Sequence, residues 1–237
     1  MQLEPMAPHS FLLYTILTFS LSFHEIFATP KYIVINEAPT HGGGIKFEKV
    51  LGGVPATQKL MGDINIFLWS NIFKQNNPAD RKPIDTVEVF IKDFDGGEAV
   101  TQGNRINVSA IYLRDYAGPL TLQKEFSSLM HHEMTHVFQW DGGFKNIPLL
   151  EGIADYTIMK ANLYPPAFAK PGSGEKWDQG YDITARFLEY CDGLVPDFTA
   201  KLNKMMKNPF DVSFFQNLTG KPVDQLWKEY KAKYGGN

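Results

Sequence analysis

The stretch LMHHEMTHVFQW, residues 129–140, holds His132, Glu133 and His136 in an H-E-x-x-H pattern. On an α-helix, side chains four apart share one face, so His132 and His136 can grip a single metal ion from a rigid element. Glu133 borders that face and can reach a water on the metal without being a ligand itself. His131 is turned about 100° away around the helix and reads as a structural or surface residue. Two neutral imidazoles and one carboxylate suit zinc, with a fourth position open to water. Zinc so held acidifies its water and polarises a carbonyl, and Glu133 is placed to carry a proton. Those are the needs of peptide-bond hydrolysis.

A third ligand must come from outside the motif. The metzincin pattern calls for Gly at 139 and His at 142, but Gln139 and Gly142 stand there, which excludes that class. The segment EGIAD, residues 151–155, supplies a carboxylate instead. Asp141-Gly142-Gly143 ends the first helix and Pro148 precedes a second, so the chain can return antiparallel. Glu151 then falls in the first turn of the new helix as the third ligand. Asp155, four residues on, can accept the remaining N–H of a metal-bound histidine and fix its tautomer.

Outward from this pair, the two halves of the chain differ in character. Before residue 119 the sequence offers short alternating runs: Tyr32–Asn36, Val87–Asp93 and Arg105–Leu113 are predicted as strands. His41-Gly42-Gly43-Gly44 reads as a turn; with no following Lys-Ser/Thr it is not a phosphate loop. Gln58–Lys74 carries apolar residues at helical spacing and is stopped by Asn76-Asn77-Pro78. After Gly118-Pro119 the pattern is helical: Leu120–Trp140, Leu150–Leu163, Tyr181–Cys191, Pro196–Lys207 and Pro222–Lys233. The predicted class is α+β. A small, mostly antiparallel or mixed sheet lobe (about 29–118) precedes a helical lobe (about 119–237), with the ligand cleft between them.

Composition agrees with a folded domain. Of 237 residues, 43% are hydrophobic, with 18 Phe and 10 Tyr, enough to bury a sizeable core. The formal net charge of −3 gives no basic face for nucleic acid and no polybasic patch for a membrane surface. Phe11–Phe23 is an uncharged apolar run, too short to span a bilayer and followed by Ala28, so residues 1–28 read as a signal peptide. The sequons at Asn107 and Asn217 offer N-glycan sites to a secreted chain. The single cysteine, Cys191, excludes an intrachain disulfide and reads as a buried apolar residue beside Glu189 and Asp192.

Several long runs resemble one family. NNPADRK (76–82), INVSAIYL (106–113), HHEMTHVFQWDG (131–142), LLEGIADY (149–156), WDQGYDITARFLEYCDGL (177–194) and DQLWKEYKAKY (224–234) are similar to the plant basic secretory proteins, gluzincin-type metallopeptidases. The resemblance covers about Tyr32 to Tyr234. It implies a thermolysin-like or gluzincin-like fold with the zinc helix at the junction of the lobes. It implies His132, His136 and Glu151 as zinc ligands, Glu133 as general base and Asp155 as the partner of His132. It also implies a downstream oxyanion donor, for which Tyr181 is the candidate, and a strand before the zinc helix, Arg105–Leu113, that pairs with a peptide substrate. The setting it implies is extracellular, in the apoplast or cell wall, in plant defence. The chain departs from the family's name in its isoelectric point of about 6.1. It also carries Thr157-Ile158-Met159 where an Arg-bearing turn is expected. A different class of function, a zinc-binding defence protein with little proteolytic activity, would not need the base at Glu133. A chain that kept residues 1–28 as an anchor would be membrane-bound.

Overall fold

A computed structural model describes residues 29–235. The predicted signal peptide lies outside them. The order of elements is β1 (Lys31–Asn36), α1 (Gly42–Lys49), α2 (Gly53–Phe67), β2 (Thr86–Lys92), β3 (Ala99–Gln102), β4 (Arg105–Ser109), α3 (Ala110–Asp115), α4 (Leu122–Phe138), α5 (Ile147–Lys160), α6 (Tyr181–Leu194), α7 (Phe198–Met205), α8 (Ser213–Thr219) and α9 (Val223–Tyr234). The class is α+β: one four-stranded mixed sheet and a helical region.

The strands lie in the order β1-β2-β4-β3. β1 with β2 and β2 with β4 are parallel, and only β3 with β4 is antiparallel. The sheet is thus mixed, not mostly antiparallel. The connection from β1 to β2 passes through α1 and α2, and a helical crossover of that length returns a strand parallel to its predecessor. Val87, Val89 and Ile91 of β2 and Ile106 and Val108 of β4 are fully buried, so alternation does mark the sheet's inner face.

Three local expectations change. The His41–Gly44 segment opens a helix: His41 Nδ1 accepts the Gly43 N–H at 3.1 Å as an N-cap. A Cβ on Gly43 would fall 1.8 Å from the Ala110 carbonyl oxygen, so glycine there serves the close approach of α1 to α3. The strand expected over Arg105–Leu113 ends at Ser109, whose Oγ accepts the Tyr112 N–H at 3.1 Å and starts α3. β3 was not expected at all; the two-residue Gly103-Asn104 link to β4 was its available signal.

The other helices fall near their expected places. α2 starts earlier than predicted and runs into a π-helical turn at Leu68–Ile72. α4 is capped by Thr121, whose side chain accepts from Lys124 N at 3.3 Å. Its Met130, Met134, Val137 and Phe138 are fully buried, and it packs against α2, β3 and α5. α8, absent from the expected set, inserts fully buried Phe215 against Trp177 and Phe187. Among the described residues no helix is long and apolar enough to cross a membrane.

Candidate metal centre

The reversal between α4 and α5 is built from short polar side chains. The Asp141 carboxylate accepts the Gly143 N–H at 2.8 Å, and Asn146 Oδ1 caps α5 by accepting the Leu149 N–H at 2.9 Å. Backbone bonds from Gly142 to Met206 and from Phe210 to Gly142, 3.0 and 2.7 Å, tie the turn to the segment after α7. Because α5 begins at Ile147, Glu151 sits in its second turn, not its first. Gly152 then lets α6 approach: a Cβ there would stand 2.3 Å from Thr184 Cγ2.

That packing gathers His132, His136 and Glu151, with one ligand atom of each within 4.8 Å of the others. His132 Nε2 lies 3.1 Å from Glu151 Oε2 and 3.1 Å from His136 Nε2, and His136 Nε2 lies 3.5 Å from Glu151 Oε2. Donors at zinc bond lengths in a tetrahedron are about 3.3 Å apart. The spacing therefore fits one zinc-sized ion. Burial pulls the His132 imidazole down, but hydrogen bonds with Asp155 and Glu151 overcome it and raise it from 6.5 to about 10. Burial pushes the Glu151 carboxyl up, yet its bonds to both imidazoles hold it at about 2. A divalent cation would take the place of the imidazole proton.

Behind these three side chains stand their hydrogen-bond partners. His132 Nδ1–H donates to Asp155 Oδ1 at 2.8 Å, with Asp155 only 9% exposed. Gln139, which the sequence reading passed over except to exclude a pattern, places its carboxamide nitrogen 2.8 Å from His136 Nδ1. Its Oε1 is buried without a hydrogen-bond partner among the described residues.

Glu133 is 6% exposed and does not join the triad of ligand atoms. Its Oε2 accepts a 2.5 Å hydrogen bond from the hydroxyl of Thr101 in β3, a second residue the sequence did not point to. Tyr181 opens α6 at φ +45°, after Gly180 at φ +96°. This uncommon backbone, held by the Gly180 N–H to Thr184 Oγ1 bond of 2.8 Å, sets the Tyr181 ring parallel to His132 at 6.2 Å. The ring is 57% exposed. The Glu151 charge first, then burial, keep its phenol protonated above the ordinary tyrosine range. His131 faces elsewhere: it is buried edge-on to Phe67, its Nδ1 2.7 Å from the Ser127 carbonyl oxygen, and burial pulls its imidazole down.

All of these except His131 line one cleft of about 1240 Å³. One wall is the Gly97–Gly103 segment around β3; the other is Pro165, Ala167 and Phe168. No residue of the expected strand Arg105–Leu113 lines it, because β4 is an interior strand paired on both sides. The strand that borders the cleft is the sheet-edge β3.

A family profile described as a peptidase of plants and bacteria matches residues 29–230. A protein named basic secretory protease from Boswellia serrata is 44% identical over 62 residues, which cover 26% of this chain and 72% of that protein. No solved structure matches significantly.

Proposed function

Since the chain belongs to this family of plant and bacterial peptidases, we propose that it is a secreted zinc metallopeptidase of the gluzincin type. The observation that carries the reading is the ligand triangle of His132, His136 and Glu151 with the buried carboxylate of Glu133 beside it. The donor set fits zinc: two imidazoles, each with a polar group at Nδ1, and one carboxylate at tetrahedral spacing. Zinc held there would act as a Lewis acid that polarises the substrate carbonyl and makes water a stronger nucleophile.

The remaining work falls to the chain. The exposed edge of β3 pairs with an extended peptide and sets its carbonyl across the cleft from Tyr181. Thr101 occupies Oε2 of Glu133, leaving Oε1 without a protein donor among the described residues. That oxygen takes the proton of the attacking water and later delivers it to the leaving amine. The protonated Tyr181 phenol donates to the developing oxyanion. Asp155 and Gln139 hold the two imidazoles in the ligating orientation.

The proposed setting is extracellular, in the apoplast or cell wall, as part of plant defence. The Boswellia serrata relative carries the word secretory in its name, and the Phe11–Phe23 run supports the same setting. A glycan at Asn217 would enter open solvent on α8, whereas Asn107 lies within β4 with its Oδ1 buried. The proposed partners are peptides or proteins, with neither nucleic acid nor membrane.

The test is purified protein assayed for bound metal and for cleavage of a peptide mixture, beside Glu133→Gln. About one zinc per chain and activity lost in the variant with metal retained are expected. A zinc-loaded wild type that cleaves no peptide would sink the reading.

A further inference from the structure

One end of the cleft is chemically distinct. Helix α4 carries Glu125 and Ser128 on the same face as His132, seven and four residues before it. Glu98, at the bend entering β3, stands across from them. Tyr112 Oη donates to Glu125 Oε1 at 2.5 Å and Tyr116 Oη to Oε2 at 3.2 Å. The Tyr112 hydroxyl also neighbours Glu98. Burial first, then the Glu125 charge, pushes the Glu98 carboxyl up, as two facing carboxylates do.

Their partners are hydroxyl groups and the nearby His132 imidazole, not a Lys or Arg. Among the described residues no Lys or Arg forms an ion pair with Glu98 or Glu125. A third polar group at this end is Ser128. It is 6% exposed, lines the cleft, and its hydroxyl makes no hydrogen bond among the described residues. A second metal ion does not suit the place, because no other group of three metal-ligating side chains gathers among the described residues. A larger cation that spreads its donors over two carboxylates and a hydroxyl does suit it. The distance along the chain is also telling. Glu98 precedes Thr101, the residue that holds Glu133, by three positions, about 10 Å of extended strand. That is about three residues of an extended substrate, a span a long cationic side chain crosses from a position one or two residues from the bond on which Glu133 would act.

We propose that this end of the cleft selects substrates bearing an ammonium or guanidinium group next to the cleaved bond, held between Glu98 and Glu125 with Ser128 as a neutral acceptor. The proposal rests on the peptidase reading for its substrate, and its test is separable from that reading.

The test is equilibrium binding of labelled peptides to zinc-loaded Glu133→Gln protein, read by fluorescence anisotropy. Acetylated, amidated peptides carrying Lys or Arg are compared with Gln or norleucine versions, and with peptides whose only cation is a free amino terminus. Cationic peptides are expected to bind about tenfold tighter than neutral ones, with the ratio collapsing when Glu98→Gln and Glu125→Gln are added. Glu125 is held by two tyrosines, so Glu98→Gln alone, at an exposed bend, serves as the variant if the double change fails to fold. A preference seen only with free amino termini assigns the pocket to the end of the substrate chain; one seen with blocked peptides assigns it to a Lys or Arg side chain. Either supports the proposal. Equal binding of cationic and neutral peptides overturns it, whether or not the wild type cleaves them. Cation preference in a wild type that cleaves nothing would support the pocket and overturn the peptidase reading.

Discussion

The hydroxyl of Thr101 lies 2.5 Å from Oε2 of Glu133, joining the edge strand of the sheet to the acidic residue of the metal helix. One hydrogen bond thus positions the Glu133 carboxylate, the proposed proton carrier, relative to the strand on which a substrate would lie. Removing the hydroxyl without changing shape frees that carboxylate to swing. In Thr101→Val, kcat is expected to fall about tenfold with zinc content unchanged, and Thr101→Ser to retain most of it. Steady-state kinetics on the three proteins checks this; a Val variant with wild-type kcat would refute the positioning role.

The two histidine partners predict metal affinity. Asp155→Asn removes the charge, and Gln139→Leu the polar group, that faces an imidazole Nδ1. For His136 to ligate through Nε2, its Nδ1–H needs an acceptor, which Gln139 provides when its carboxamide turns the now unpartnered Oε1 toward it. Zinc affinity, read by chelator competition, is expected to drop about 10- to 100-fold in each variant. Unaltered affinity in Gln139→Leu would remove that residue from the site.

Gly152 predicts a coupling between packing and the metal site. An alanine Cβ would overlap Thr184 and force α5 from α6, carrying the neighbouring Glu151 with it. Gly152→Ala should cost about 1–3 kcal/mol in stability by denaturant titration. It should also weaken zinc binding. Thr184→Ser, which removes Cγ2, should recover part of both losses. Loss of stability with full zinc affinity would show that α5 shifts without moving Glu151.

Cys191 predicts an alkaline effect. Burial first, then the Asp192 charge, pushes its thiol up from 9.0 in the folded chain, where the side chain is fully buried. The unfolded chain therefore loses this proton at lower pH than the folded one. The stability it contributes is complete below about pH 9 and declines above it as pH climbs toward the folded value. Native protein at pH 8 should resist iodoacetamide, and unfolded protein should react with one equivalent. Cys191→Ala should flatten part of the decline above pH 9 in a stability–pH series. Rapid labelling of the native chain would contradict the burial.

Different parts of the site were legible to different depths. The grouping of His132, His136 and Glu151 was readable because a helix has a fixed period: His132 and His136 share a face wherever that helix sits, and a Gly-rich turn followed by Pro148 announces a returning helix with Glu151 and Asp155 one turn apart. The helical segments after residue 119, α8 excepted, were legible for the same reason. Strand endings were not. Alternation across Ser109–Leu113 fits a strand and a capped helical turn equally well, and β3 is four residues long, too short to carry its own pattern. The sheet's pairings were equally hidden, since which strands become neighbours depends on crossovers and not on the strands themselves.

What the amino-acid sequence by itself determined is the pairing of groups within each helix, His132 with His136 and Glu151 with Asp155, which the helical period alone brings to common faces. What only the tertiary structure decided is the company those groups keep. Thr101 meets Glu133 from 32 residues away, and Glu98 stands opposite Glu125 through the placement of β3 at the sheet edge. Such contacts depend on how a sheet and a helix pack, and packing satisfies volumes and buried polar groups across the whole domain, which no local period records.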